Sequence, residues 1–166
     1  VRQPEHPIII DIEASGFGQT SYPIEIGLVL ENHERFCTLI APQSDWTHWA
    51  DSAEAVHGIS RDNLINAGKS ALDVALYLNS LLDGVTAYSD GWVVDKPWLT
   101  VLFHAAGIEM KFHLSPLEMI LSEAQMTMWA DVKTQVINDS KLRRHRASND
   151  AWIIQETYRR TLLQQA

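Results

Sequence analysis

One cysteine, Cys37, is all that 166 residues contain. A lone cysteine excludes an intramolecular disulfide and offers no thiolate cluster for zinc, and it suits a reducing compartment. It lies in an apolar stretch, which predicts an inert core thiol. Long apolar runs are also missing: none approaches the roughly 20 residues that a membrane-spanning helix needs, so no membrane association is expected. The opening residues are polar and proline-containing and show no secretory pattern. Together these absences give the expectation of a cytoplasmic protein. Positive charge is scarce as well, with 13 Lys and Arg against 21 Asp and Glu and a formal net charge of −8. That argues against broad, non-specific duplex binding, which runs on many cationic phosphate contacts. It leaves room for an enzyme whose bound metals and one basic patch handle a few phosphates.

What is present is ordinary globular material, 46% hydrophobic and 20% charged. The length fits one domain over residues 1–166, with 1–7 as a loose tail. No internal repeat or linker interrupts it. Alternation and turn residues predict strands at 8–13, 24–30, 35–40, 85–89 and 111–114. Helices are predicted at 49–56, after a cap at Ser60, from a Ser70 cap to Asp83-Gly84, and from an Asp95 cap with Pro97 in the first turn. Further helical segments are predicted from Ser115-Pro116 to Leu121, at 122–137 and at 147–163. A strand meander followed by alternating helices and strands implies a mixed sheet with helices on both faces.

The first strand carries the chemistry. Ile8-Ile9-Ile10-Asp11-Ile12-Glu13 is apolar except for two acids, and alternation puts Asp11 and Glu13 on one face. A central strand does not bury two acids unpaired. A divalent metal is the simplest partner; a strand that ends early, leaving both acids in solvent, is the bland alternative. Three features further along match the pair. Asp95 stands at a helix start just after the fourth strand. His145 and Asp150 lie in His145-Arg146-Ala147-Ser148-Asn149-Asp150, at the start of the last helix. Ala147 and Ala151 are small enough for that helix to approach the sheet closely.

In this order and spacing the chain resembles the DEDDh 3′–5′ exonucleases, a family that includes polymerase proofreading subunits, RNase T and oligoribonuclease. The resemblance rests on Asp11-Ile12-Glu13-Ala14-Ser15-Gly16-Phe17, on the stretch around Asp95, on His145 to Asp150, and on His57-Gly58-Ile59-Ser60 between the first two motifs. It covers nearly the whole chain. One departure stands out: Asp90-Gly91 replaces the His-Asn that many members carry before the second motif's acid. Asp90 reads as a turn residue or as an outer carboxylate near the site.

The resemblance implies a ribonuclease H-like α/β fold with a five-stranded mixed sheet. It also implies a metal-dependent exonuclease that trims single-stranded DNA or RNA from the 3′ end to nucleoside 5′-monophosphates. Two divalent ions, Mg²⁺ or Mn²⁺, would be held by Asp11, Glu13, Asp95 and Asp150, with Asp11 bridging both. His145 would take a proton from the attacking water, a task that suits an imidazole near neutral pH. Substrate contacts would come from Ser15, Gly16, Phe17, His57 and Arg146. Phe17 reads as a stacking surface for the terminal base or as core packing. Trp46 and Trp49 stack on substrate or pack under a loop. The basic run Lys141, Arg143, Arg144 and Arg146 either steers phosphate or forms a solvated turn.

Two other functions stay open on the sequence: a phosphodiesterase of short oligonucleotides, and a non-catalytic module that recruits a polymerase or another partner. Neither a homodimer nor a polymerase partner is decided by any surface stripe.

Overall fold

The structure, a computed structural model, describes residues 4–166. The first three residues of the expected tail lie outside this range. The next four are held: the Tyr158 hydroxyl donates to the Pro4 carbonyl at 3.0 Å, and the Gln155 amide donates to the Pro7 carbonyl at 2.9 Å.

Five strands form one mixed sheet. They are β1 (Ile9–Ala14), β2 (Pro23–Val29), β3 (Arg35–Leu39), β4 (Thr86–Ser89) and β5 (His113–Pro116), in the order β3-β2-β1-β4-β5. The first three are an antiparallel meander; β4 runs parallel to both β1 and β5. Around them lie α1 (Asp51–His57), α2 (Arg61–Ala67), α3 (Ala71–Leu82), α4 (Trp92–Ala106), α5 (Glu123–Ser140) and α6 (Ala147–Gln164). The mixed sheet between two helical layers is the α/β architecture anticipated from the sequence.

The pleat of β1 divides its residues. Ile8, Ile10 and Ile12 pack with Val74 and Leu78 of α3 and Leu99 and Leu102 of α4. Ile9 faces the other way, against Ala151, Ile154 and Tyr158 of α6. Asp11 and Glu13 follow Ile9 on this second face. On β2, Gly27 and Glu25 are their register partners. Gly27 has a packing reason to be glycine. A Cβ there would stand 2.1 Å from the backbone of Ala147 and Ser148, so only glycine lets the start of α6 settle on the sheet.

Several boundaries differ from the sequence expectation. The helix after β4 begins a turn earlier, with Gly91 as its cap, so Asp95 lies in its first turn and Pro97 inside it. The cause is the Ser89-Asp90-Gly91 turn. The Ser89 hydroxyl accepts the Gly91 N–H at 3.0 Å and donates to Asp95 Oδ2 at 2.5 Å, starting the helix before Asp95. β5 is displaced two residues toward the C-terminus because its register with β4 pairs His113 with Thr86 and Pro116 with Ser89. Pro116 is tolerated there on an edge strand. The helix expected from Ser115 shrinks to a 3₁₀ turn, Leu117–Ile120. Cys37 is exposed on edge strand β3 and is not a core residue. Desolvation around the sulfur and the nearby Glu25 carboxylate push its thiol up to about 11.

Candidate active site

The carboxyl ends of the parallel neighbours β1 and β4 open into a cleft of about 430 Å³. Its polar lining includes Asp11, Glu13, Asp95, His57 and His145, and its apolar lining includes Phe17, Val56, Val94 and Trp98. Residues 84 positions apart thus share one concavity, because β1 delivers Asp11 and α4 delivers Asp95 from the adjoining strand end.

Asp150 stands just behind this lining. Glu13, His145 and Asp150 each offer a ligand atom, and these atoms lie within 4.8 Å of one another. Asp150 is itself fixed: Arg144 Nε donates to its Oδ1 at 2.8 Å and the His145 backbone N–H donates to its Oδ2 at 3.0 Å. His145 has φ of 62°. A non-glycine residue in this left-handed region is uncommon, and here the bond to Asp150 secures it.

The acids are electrostatically crowded. Asp11 is half-buried, its Oδ2 is sealed from water with no hydrogen-bond partner, and its pKa is raised well above the usual carboxylate range. Burial is the main cause, followed by repulsion from Asp95, Glu13 and Asp150. Glu13 is pushed up to about 8 by burial and then by Asp150 and Glu25. Asp95 is pushed up to about 7 by burial, although the Ser89 hydrogen bond opposes the rise. A carboxylate oxygen sealed from water without a donor, amid three other acids, is an environment made for a cation. All-oxygen carboxylate donors suit a hard divalent ion, and the nearby imidazole also suits zinc.

Other residues singled out in the sequence have different placements. Ser15 is fully buried: its hydroxyl accepts the Tyr22 N–H at 3.1 Å and bonds His48 Nδ1 at 2.9 Å, so it braces two loops. Gly16 lines the cleft and has no room for a Cβ, which would lie 2.6 Å from the His48 ring. Phe17 is 84% exposed, 6.1 Å from Trp98 between ring centroids. Core packing is therefore not its role. Trp46 stacks on Tyr22 at 5.2 Å and Trp49 meets the His57 ring edge-on at 6.0 Å, so both pack locally.

His57 Nδ1 accepts the Ile59 N–H at 3.0 Å, which leaves the ring proton on Nε2; that atom is buried without a hydrogen-bond partner. Burial holds the pKa of His57 below the ordinary value, with the Glu25 carboxylate partly opposing. Asp90 is a turn residue whose carboxylate pairs with Lys133 of α5 at 3.2 Å.

The basic run divides in two. Arg144 is engaged by Asp150 and Arg146 by Glu25. Arg146 is therefore held in the protein and does not line the cleft. Arg143 is exposed and makes no ion pair among the described residues. It donates to the His57 carbonyl at 3.4 Å and lies against Gly58, whose φ of 70° and missing side chain make room for it. Glu25, Ser89 and Trp98 were not singled out as site residues from the sequence. The one signal available was Glu25 itself, an acid inside the apolar run Ile24 to Leu30.

No protein-family model matches this sequence, and no curated protein does. Solved structures do match in fold. Escherichia coli exonuclease I in complex with a 5cy-dT13 oligonucleotide superposes with a TM-score of 0.71 at 11% identity, over 95% of this chain and 40% of that one. The zinc-bound form of the E. coli exonuclease I–single-stranded DNA complex gives 0.69 at 12% identity, again over 95% and 40%. A moderately thermophilic exonuclease I from Methylocaldum szegediense gives 0.58 at 12% identity, over 74% of this chain and 29% of that one. The chain spans 40% or less of the length of these neighbours. At such identity the likeness establishes the ribonuclease H-like fold.

Proposed function

We propose that this protein is a metal-dependent 3′–5′ exonuclease of the DEDDh type, acting on single-stranded nucleic acid. The observation that carries the reading is the convergence of Asp11, Glu13, Asp95, His145 and Asp150 at one cleft, with an unpartnered buried oxygen on Asp11. The exonuclease I complexes named above lend it weight, as their own ligand is single-stranded DNA.

Asp11, Glu13, Asp95 and Asp150 would hold two divalent ions, Mg²⁺ or Mn²⁺. Such ions supply activation of water and neutralisation of charge at the leaving oxygen. The chain's own residues do the rest. His145 accepts the proton of the attacking water at a ring nitrogen. Asp150 holds the backbone of His145 and so fixes where the imidazole stands. Phe17, Trp98 and Val94 give the terminal base an apolar surface that any base can stack on. His57 lines the same cleft and would contact the terminal nucleotide there. Arg143 meets a phosphate at the rim, the role the sequence reading had given to Arg146.

The test is digestion of matched 5′-labelled single-stranded DNA and RNA with Mg²⁺ or Mn²⁺. A ladder shortening from the 3′ end is expected, abolished by chelation and slowed about 100-fold by His145→Ala. No cleavage of either strand, with metal bound, would replace this reading by a non-catalytic binding module. Arg143→Gln is expected to raise KM about 3- to 10-fold with little change in kcat, and to flatten the salt dependence by about one phosphate contact. An unchanged KM and salt slope would remove Arg143 from the substrate path.

A further inference from the structure

The position of α6 decides whether His145 and Asp150 meet Glu13, and α6 lacks an ordinary start. Its cap residue, Arg146, contributes no side-chain hydrogen bond to the helix. Helix N-termini leave several N–H groups unsatisfied. Here the first is satisfied from another element: Glu25 of β2 accepts the Ala147 N–H at 2.8 Å. The same carboxylate takes Arg146 in a two-pronged grip, with Nε at 3.1 and 3.2 Å and Nη2 at 2.6 Å.

Glu25 is completely buried, which a carboxylate tolerates only when its oxygens are filled by donors. It is the register partner of Glu13 on the neighbouring strand, and Gly27 lies two residues further along the same face. β2 thus presents α6 with a slot: an acid that grips the helix start and a glycine that admits its backbone. Three residues after that start comes Asp150. One residue before the gripped Arg146 comes His145, held in its left-handed conformation.

We propose that Glu25 is a positioning residue for the active centre, acting through Arg146 and Ala147 to set Asp150 and His145 against Glu13. This rests on the metal-dependent reading above. A purely structural Glu25 would hold the fold together without deciding how the cleft binds a metal ion.

Glu25→Gln keeps the size and a neutral acceptor for Ala147 but loses the charge that grips Arg146. Arg146→Lys keeps a cation but loses the fork. In each variant Mn²⁺ affinity would be measured by titration calorimetry, and amide hydrogen exchange by NMR. The expected result is about 10-fold weaker Mn²⁺ binding and at least 10-fold faster exchange at the His145 and Ala147 N–H groups. Exchange in the Ile10 and Leu78 core stays as in the wild type, and kcat falls about 10-fold with KM nearly unchanged.

A folded variant with wild-type Mn²⁺ affinity and wild-type exchange at Ala147 overturns the proposal. If Glu25→Gln does not fold, Arg146→Lys alone decides, since Arg146 is one-third exposed and its loss is milder. Wild type that binds no Mn²⁺ and cuts no strand defeats the functional reading instead. In that case unchanged exchange in the variants defeats the positioning role separately.

Discussion

Asp11→Asn is expected to lower cleavage by at least about 10⁴-fold and, at the same time, to make the metal-free protein more stable. The two effects have one origin. Asp11 is half-buried, its Oδ2 sealed from water by the packing of β1 with no donor to it. Without a cation, its ionisation is opposed by burial and then by Asp95, Glu13 and Asp150. An amide of the same shape removes the repulsion and offers its N–H to the surrounding carboxylates. Even paired buried charges, when replaced by neutral groups of similar volume, often give a stability gain of up to roughly 1–4 kcal/mol, and Asp11 has no partner to lose. For a domain of this size that is an increase in Tm of about 3–10 °C. Activity measured beside calorimetry in EDTA at pH 8 checks both halves. An Asn variant that is less stable than wild type would mean that Asp11 is satisfied by something other than a metal.

The second large effect concerns pH. Glu13 and Asp95 ionise near 8 and near 7 in the folded protein, well above ordinary carboxylates near 4. A raised folded pKa means that the fold binds protons more tightly than the unfolded chain. The stability that those protons contribute is therefore fully present below about pH 4 and is lost as pH rises through 7 to 8. Within pH 5 to 8.5, metal-free protein should lose on the order of 4 kcal/mol from these groups together, or about 10 °C in Tm. Millimolar Mn²⁺ should abolish the decline, because an ion bound to the ionised acids favours the fold most where they are charged. Differential scanning calorimetry across that range, with EDTA and with Mn²⁺, reads both slopes. A metal-free Tm that rises from pH 5 to 8.5 would contradict the crowding of acids at the cleft.

The carboxylates and the sheet that bears them were legible because their signal is local. Asp11 and Glu13 sit at alternate positions in an apolar strand, and a strand's period of two puts them on one face whatever follows. The Ser60 and Ser70 caps are likewise short-range: each hydroxyl accepts the N–H three residues on. The helix after β4 was misread because two good signals, an Asp cap and an early proline, pointed at position 95. The Ser89 hydroxyl, meanwhile, fastens to both Gly91 and Asp95 and starts the helix a turn sooner. Propensity lost to a side-chain contact across six residues.

The basic run was harder still. Four cations in six positions look alike in sequence, and their separate engagements with Glu25, Asp150 and the His57 carbonyl come from residues up to 121 positions away. Cys37 read as core because strand β3 is apolar; that β3 is an edge follows from sheet order, which periodicity does not encode.

The docking of α6 across the sheet also sets an order in time. Asp11 and Glu13 are synthesised early and Asp95 midway, but His145 and Asp150 come near the end of this stretch of chain. The helix that carries Asp150 reaches back to Pro7 and Leu30 through Gln155. While a ribosome is still making the segment before residue 145, the acids of β1 have neither their imidazole nor their closing carboxylate. Any chemistry that needs these five groups together therefore waits until α6 has been made and has docked back onto β1.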